Sequence, residues 1–144
     1  MIYTSYFAKL KSLPENVIPV AICAKVPEWY KGLHYKKLAP TYNTLMKYKK
    51  DHNEEDYIIS YESETLAGLE VSYTLSEIYD LLPRGEWGPR EMIEMMNCPP
   101  WENPKYHIAL ICYEKPEDFC HRHIVEKWLK KSGIRCEEWR GQNV

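Results

Sequence analysis

The sequence lacks a long hydrophobic run. No apolar stretch among its 144 residues approaches the roughly 20 residues that a membrane-spanning helix needs. The chain opens on the strand-like IYTSYF, without the apolar core of a signal peptide. Internal repeats and low-complexity segments are also missing. We therefore expect a single domain, residues 1–144, that resides in the cytoplasm and does not contact membranes, since domains commonly hold about 100 to 150 residues.

An excess of positive charge is absent as well. The chain has 19 Lys and Arg residues against 21 Asp and Glu residues, and its formal net charge is -2. Such a chain has no overall positive field for coating duplex nucleic acid. Its five cysteines are an odd number and form no Cys-x-x-Cys pair, so the sequence predicts reduced thiols instead of a disulfide framework.

Strand-like and helix-like patterns alternate along the chain. The apolar runs IYTSYF, VIPVAICA, HIALIC and IRCEEW predict four strands. Helical spacing and capping residues predict helices over residues 41–50 and 54–67, a third beginning at Thr74, and a fourth from Pro89 to Met96. The connection of about twenty residues between HIALIC and IRCEEW is typical of a βαβ unit with parallel strands. We predict an α/β fold, a small three-layer sandwich with a mostly parallel sheet of about four strands.

The most informative segment is residues 106–133, which read YHIALICYEKPEDFCHRHIVEKWLKKSG. Pro116 suits the first position of a helix, and Gly133 suits its C-terminal cap. The apolar spacing of this helix predicts a buried stripe that includes His121 and a more exposed side that includes Arg122.

The start of this helix carries a dense group of reactive side chains. Cys120, His121 and Arg122 are consecutive, and they follow Glu114 and Lys115 in the preceding loop. In open parallel sheets, ligands bind where strands end and helices begin. We predict that Cys120 is a catalytic nucleophile and that His121 or Glu114 is catalytic in proton transfer. Arg122 is predicted to bind an anionic group. The alternative is that Cys120 and His121 are ordinary packing residues.

Two more specific motifs, a phosphatase-type loop and a zinc site, do not fit these residues. A phosphatase-type loop needs an arginine six positions after its cysteine, and Asp118 stands at that distance from Cys112. A zinc site could be drawn from Cys112, Cys120, His121 and His123, but adjacent residues of a helix point about 100° apart. The sequence therefore predicts no metal site, and no cofactor is expected.

The chain resembles a known family in these same residues. The strand ending LICYEK, followed by PEDFCHRHIVEKWL, is similar to the closing Cys-His-Arg motif of the domain-of-unknown-function family numbered 488, from bacteria and phages. IYTSYF and KGLHYKKLAPTYNTLMKY are similar to the opening strand of that family and to the loop and helix start of some branches. The resemblance covers most of the chain but not residues 83–104.

The resemblance implies a compact α/β fold and a cleft, and two departures bear on that cleft. The residues that it implies for the cleft are Tyr3, Ser5, Tyr6, Lys25, Glu114, Cys120, His121 and Arg122. This chain has Ser5 or Tyr6 where many members have glycine. It has Ala-Lys-Val around Lys25 where many have Asp-Val-Arg. Lys25 keeps the positive charge but lacks the bidentate fork of arginine.

These residues lead to three functional hypotheses. The first is an enzyme that acts on a nucleotide, nucleoside or modified base, in which Arg122, Lys25 and Lys115 bind the anionic group. The rings able to stack on a base are Tyr6, Trp29, Tyr30, Tyr35 and Trp87. The second is a module that binds a nucleotide or single-stranded nucleic acid without turnover. The third is a thiol-dependent enzyme that uses Cys120. In each case we expect a monomer or a homodimer.

Overall fold

The computed structural model of the protein describes residues 1–83, 98–102 and 107–142. Its sheet has five strands, all paired in parallel, in the spatial order β3-β2-β4-β1-β5. The strands are β1 (Ile2–Tyr6), β2 (Val17–Ala21), β3 (Leu33–His34), β4 (His107–Cys112) and β5 (Cys136–Glu138). The predicted α/β fold with a parallel sheet is confirmed, with five strands instead of about four.

The additional strand, β3, has only two residues and pairs with the end of β2, where Leu33 lies beside Val20. A two-residue strand has no alternation or apolar run that a sequence pattern can detect. It lies at the edge of the sheet, whereas β4 lies between β1 and β2 and all six of its residues are buried. Burial on both faces explains why β4 is a continuous apolar run.

Helices flank the sheet on both faces. The α-helices of the described residues are α1 (Tyr42–Asp51), α2 (Glu54–Tyr61), α3 (Val71–Asp80) and α4 (His121–Lys131), and a π-helical turn (Glu62–Leu66) extends α2. Side chains from these helices pack in one hydrophobic cluster with Ile2 and Leu110. The 3₁₀ helix Phe7–Ser12 contributes Phe7 to a second cluster with Tyr3 and Ala109. Successive strand residues therefore alternate between two cores. None of the described helices is long and apolar enough to span a membrane.

The first three helices begin at residues that cap them. Thr41 caps α1 as predicted, because its hydroxyl accepts a hydrogen bond from the N–H of Thr44. The predicted start of α3 at Thr74 is wrong. The helix begins at Val71, because the carboxylate of Glu70 accepts hydrogen bonds from two N–H groups of the first turn. The helix predicted from Pro89 to Met96 lies outside the described residues.

The start of α4 also differs from the prediction, and this difference shapes the site. Pro116 lies in a turn, and the helix begins at His121, with Cys120 as an extended N-cap residue at φ -154° and ψ 144°. The predicted C-terminal cap is consistent with the structure. Gly133 has φ 79°, and its N–H donates to the carbonyl of Lys130. Glycine is favoured there because a residue with a Cβ atom is strained in the left-handed region.

Candidate functional site

Two thiols and an imidazole meet where β4 ends and α4 begins. Cys112 is the last residue of β4, and Cys120 and His121 are the N-cap and first residue of α4. The Sγ atoms of Cys112 and Cys120 lie 2.9 Å apart. The Nδ1 atom of His121 lies 3.3 Å from the Sγ of Cys112 and 4.0 Å from the Sγ of Cys120. All three residues are buried, and we call them the Cys-Cys-His cluster.

The parallel sheet brings one further group to this cluster. The carboxyl ends of parallel strands meet at one edge of a sheet, so Ile22, just after β2, lies near Cys112 at the end of β4. The backbone carbonyl of Ile22 lies 2.9 Å from the Nε2 atom of His121. A carbonyl oxygen only accepts hydrogen bonds, so Nε2 carries a proton. In the neutral ring, Nδ1 then directs its lone pair toward the thiols.

The two thiols differ in their acidity. The pKa of Cys120 lies well below its ordinary value, mainly because a hydrogen bond with Cys112 stabilises the ionised form of Cys120. The backbone N–H of Arg122 lowers the pKa of Cys120 further. The same hydrogen bond, together with burial, raises the pKa of Cys112. The pair therefore favours a thiolate on Cys120 with a protonated Cys112 beside it.

A cavity of about 390 Å³ opens over the Cys-Cys-His cluster. Its walls include the rings of Tyr48, Tyr57 and Phe119, and the centroid of the Phe119 ring lies 5.0 Å from that of Tyr57 and 5.2 Å from that of Tyr48. The exposed lining residues include Lys25, Lys49 and Glu114, which place charges of both signs at the rim. The other lining residues are Cys23, Ala24, Pro40, Leu45 and Tyr113. The cavity is thus aromatic on its walls, reactive on its floor and charged at its rim.

Arg122 lies in a buried ion pair, so the prediction that it faces the exposed side of α4 is wrong. Its side chain is 0% exposed, and its Nε and Nη2 atoms each lie 3.1 Å from a carboxylate oxygen of Glu138. Its Nη1 atom donates to the backbone carbonyl of Glu114 at 2.5 Å. The hydroxyl of Thr4 donates to the same Glu138 carboxylate, and the ring of Tyr6 lies 5.6 Å from the guanidinium. Arg122 therefore anchors the loop after β4 and is not part of the cavity lining.

The remaining predicted site residues divide between the cavity and other surroundings. Glu114 and Lys25 line the cavity, whereas Lys115 is exposed and does not line it. Tyr3 belongs to the second core, where its ring packs edge-on against Trp139 at 5.2 Å. Ser5 is buried, and its hydroxyl has no hydrogen-bond partner among the described residues. The structure thus brings Cys120, His121, Glu114 and Lys25 together, but not Tyr3, Ser5 or Lys115.

Most of the aromatic residues that line the cavity were not anticipated. Tyr48 and Tyr57 come from α1 and α2, and Phe119 comes from the loop before α4. Nothing in the local sequence marks these residues, because they meet only when the helices pack against the sheet. Among the rings proposed for base stacking, Trp29 is 62% exposed, Tyr30 and Tyr35 are buried, and Trp87 lies outside the described residues.

The Cys-Cys-His cluster also contains potential metal ligands. Within the described ranges, the two Sγ atoms and a ring nitrogen of His121 lie within 4.8 Å of one another. The geometric objection to a zinc site assumed that Cys120 lies inside a helix. That assumption is wrong, because the extended backbone of Cys120 turns its side chain toward the same point as that of His121.

Searches against protein-family models, curated proteins and solved structures return no match to this chain. The resemblance to family 488 therefore stays a prediction that rests on the Cys-His-Arg motif and the residues around it.

Proposed function

We propose that the protein is an enzyme that acts on a nucleotide, nucleoside or modified base bound in the cavity over the Cys-Cys-His cluster. The observation that carries this proposal is the cavity itself, whose aromatic walls lead to buried thiols and an imidazole. Its volume of about 390 Å³ lies within the usual range of small-ligand sites, which are mostly apolar with a few convergent polar groups.

The lining residues suit the parts of such a substrate. The rings of Tyr48, Tyr57 and Phe119 offer flat apolar surfaces to a base. The ammonium groups of Lys25 and Lys49 at the rim suit a phosphate, which lysine binds as a point charge. The carboxylate of Glu114 at the rim is placed to exchange a proton with a bound substrate.

A thermal-shift screen tests the binding step. We expect a nucleotide to raise the Tm of the wild type, because a ligand at 100 times its Kd stabilises the native state by about 2.7 kcal/mol. The double variant Lys25→Ala/Lys49→Ala should respond less to the nucleotide while keeping its response to the matching nucleoside. Lys50→Ala is the matched control, since Lys50 is exposed and does not line the cavity.

Product analysis of any ligand that binds separates an enzyme from a binding module without turnover. Conversion of the ligand by the wild type supports the enzyme. Stabilisation without conversion leaves the module that binds a nucleotide or single-stranded nucleic acid. If no nucleotide, nucleoside or short oligonucleotide shifts the Tm, the proposed substrate class is wrong.

A thiol-dependent reaction at Cys120 is the second candidate. It is favoured by the 2.9 Å contact with Cys112 at the floor of an open cavity. In chelator-treated protein at neutral pH, we expect iodoacetamide to alkylate Cys120 before Cys112 and Cys136. Cys120 is a thiolate at any pH above its lowered pKa. The raised pKa values of Cys112 and Cys136 keep those two thiols protonated and therefore less reactive. Peptide mass spectrometry over time measures the order, and complete protection of Cys120 contradicts the hypothesis.

A further inference from the structure

We infer that Cys112, Cys120 and His121 bind one zinc ion whose fourth coordination position opens into the cavity. Two thiolates and an imidazole are soft and borderline ligands that suit zinc better than calcium or magnesium, which take oxygen ligands. Three protein ligands with one free position are the usual composition of a catalytic zinc site, whereas structural sites are closed by four.

The distances within the cluster are close to those that zinc requires. A tetrahedral zinc ion, with bonds of about 2.3 Å to sulfur and about 2.0 Å to nitrogen, separates its ligand atoms by about 3.5 to 3.8 Å. The Nδ1 atom of His121 lies 3.3 Å and 4.0 Å from the two sulfurs, which brackets this range. The sulfurs of Cys112 and Cys120, 2.9 Å apart, must separate by about 0.9 Å to reach the roughly 3.8 Å between two sulfur ligands of a tetrahedral zinc ion. Small rotations of two cysteine side chains suffice for this change.

The orientation of His121 is an independent sign of a metal ligand. Ligating histidines almost always donate their second ring N–H to a carbonyl or carboxylate, which selects the tautomer and holds the ring. The Nε2 atom of His121 makes such a bond to the carbonyl of Ile22 at 2.9 Å, and Nδ1 is left facing the thiols. Ordinary packing of a histidine does not require its free nitrogen to face two cysteines.

The open position follows from the surroundings of the cluster. Cys112, Cys120 and His121 are buried among strand and helix residues, yet all three also line the cavity. A fourth ligand would therefore come from the cavity, as water or as a group of the substrate. An open zinc ion lowers the pKa of bound water and polarises a bound carbonyl. The site goes beyond the proposed function, because the cavity can bind a nucleotide whether or not a metal is present.

Metal analysis of the full chain tests the site. We expect about one zinc per chain in the wild type after purification without chelator. Cys112→Ser and Cys120→Ser should each weaken zinc affinity by at least about 100-fold, because loss of even an outer partner of a ligand costs about 10- to 100-fold. Cys136→Ser is the matched control, since Cys136 is also buried but does not line the cavity. It should retain the zinc.

Cobalt(II) binding and cysteine protection keep the test valid if a serine variant folds poorly. Titration of cobalt into reduced wild-type protein should give the absorption of thiolate-to-cobalt charge transfer. Zinc should slow iodoacetamide labelling of Cys112 and Cys120 in the wild type but not that of Cys98, which is partly exposed.

The inference is overturned if reduced wild-type protein takes up neither metal, or if a folded Cys112→Ser/Cys120→Ser variant still binds zinc. A nucleotide-induced rise in Tm that persists in metal-free protein would leave the proposed function standing without the zinc site.

Discussion

Glu138→Ala should lower the free energy of unfolding by about 3–5 kcal/mol, measured by urea denaturation. The substitution leaves the guanidinium of Arg122 buried without its carboxylate partner. Arg122 is 0% exposed and Glu138 is 6% exposed, so water cannot replace the lost interactions without a rearrangement of the fold. The hydroxyl of Thr4, which donates to the Glu138 carboxylate, loses its acceptor as well.

Two comparisons determine whether burial is the cause. Lys130→Ala removes the ion pair between the exposed Lys130 and Glu126, four positions earlier on α4, and should cost only about 0.3–0.5 kcal/mol. The double variant Arg122→Met/Glu138→Leu removes both charges, and we expect it to recover most of the stability that Glu138→Ala loses. A loss below about 1 kcal/mol in Glu138→Ala would show that Arg122 finds other acceptors or solvent, and would contradict the buried pair.

Under the proposed enzymatic function, Glu114→Gln should reduce kcat by about 10²- to 10⁴-fold, with KM nearly unchanged. The amide has almost the same shape as the carboxylate but cannot exchange a proton in its place. The side chain of Glu114 is exposed at the cavity rim, and only its backbone carbonyl is used by Arg122. The variant should therefore fold with a stability within about 0.5 kcal/mol of the wild type.

Glu117→Gln is the matched control for this prediction. Glu117 is exposed in the same loop but does not line the cavity, so its substitution should leave both kinetic constants unchanged. Steady-state kinetics with a substrate identified by product analysis checks both variants. If Glu114→Gln retains full kcat, the proton-transfer role passes to another group, such as His121. If it instead raises KM alone, Glu114 contributes only to binding.

The local patterns of the sequence predicted the scaffold well. The continuous apolar run HIALIC became the central strand β4, because a strand that is buried on both faces carries apolar side chains at every position. Thr41 was placed as a cap from its side-chain hydroxyl, and Gly133 from its freedom to adopt a positive φ. These features depend on neighbours within a few residues, and such interactions can be read directly from the order of side chains.

The start of α4 was beyond local reasoning. Pro116, Glu117 and Asp118 are all favourable at the beginning of a helix, yet the chain forms a turn there and begins the helix at His121. Arg122, whose Nη1 atom holds the carbonyl of Glu114, contributes to that conformation. Local propensity is weak compared with such a tertiary contact, and it therefore did not determine the helix boundary.

The sequence by itself determined the fold class, the parallel strands and the segment that carries the candidate site. Only the tertiary structure decided how the residues of that segment are used. The ring of His121 donates a hydrogen bond to the carbonyl of Ile22, 99 positions away. The carboxylate of Glu138 accepts a hydrogen bond from the hydroxyl of Thr4, 134 positions away. Such contacts depend on strand order and register, which local periodicity does not encode. That is why Arg122 was expected at the surface and proved to be buried, and why two cysteines eight positions apart meet at the floor of a cavity.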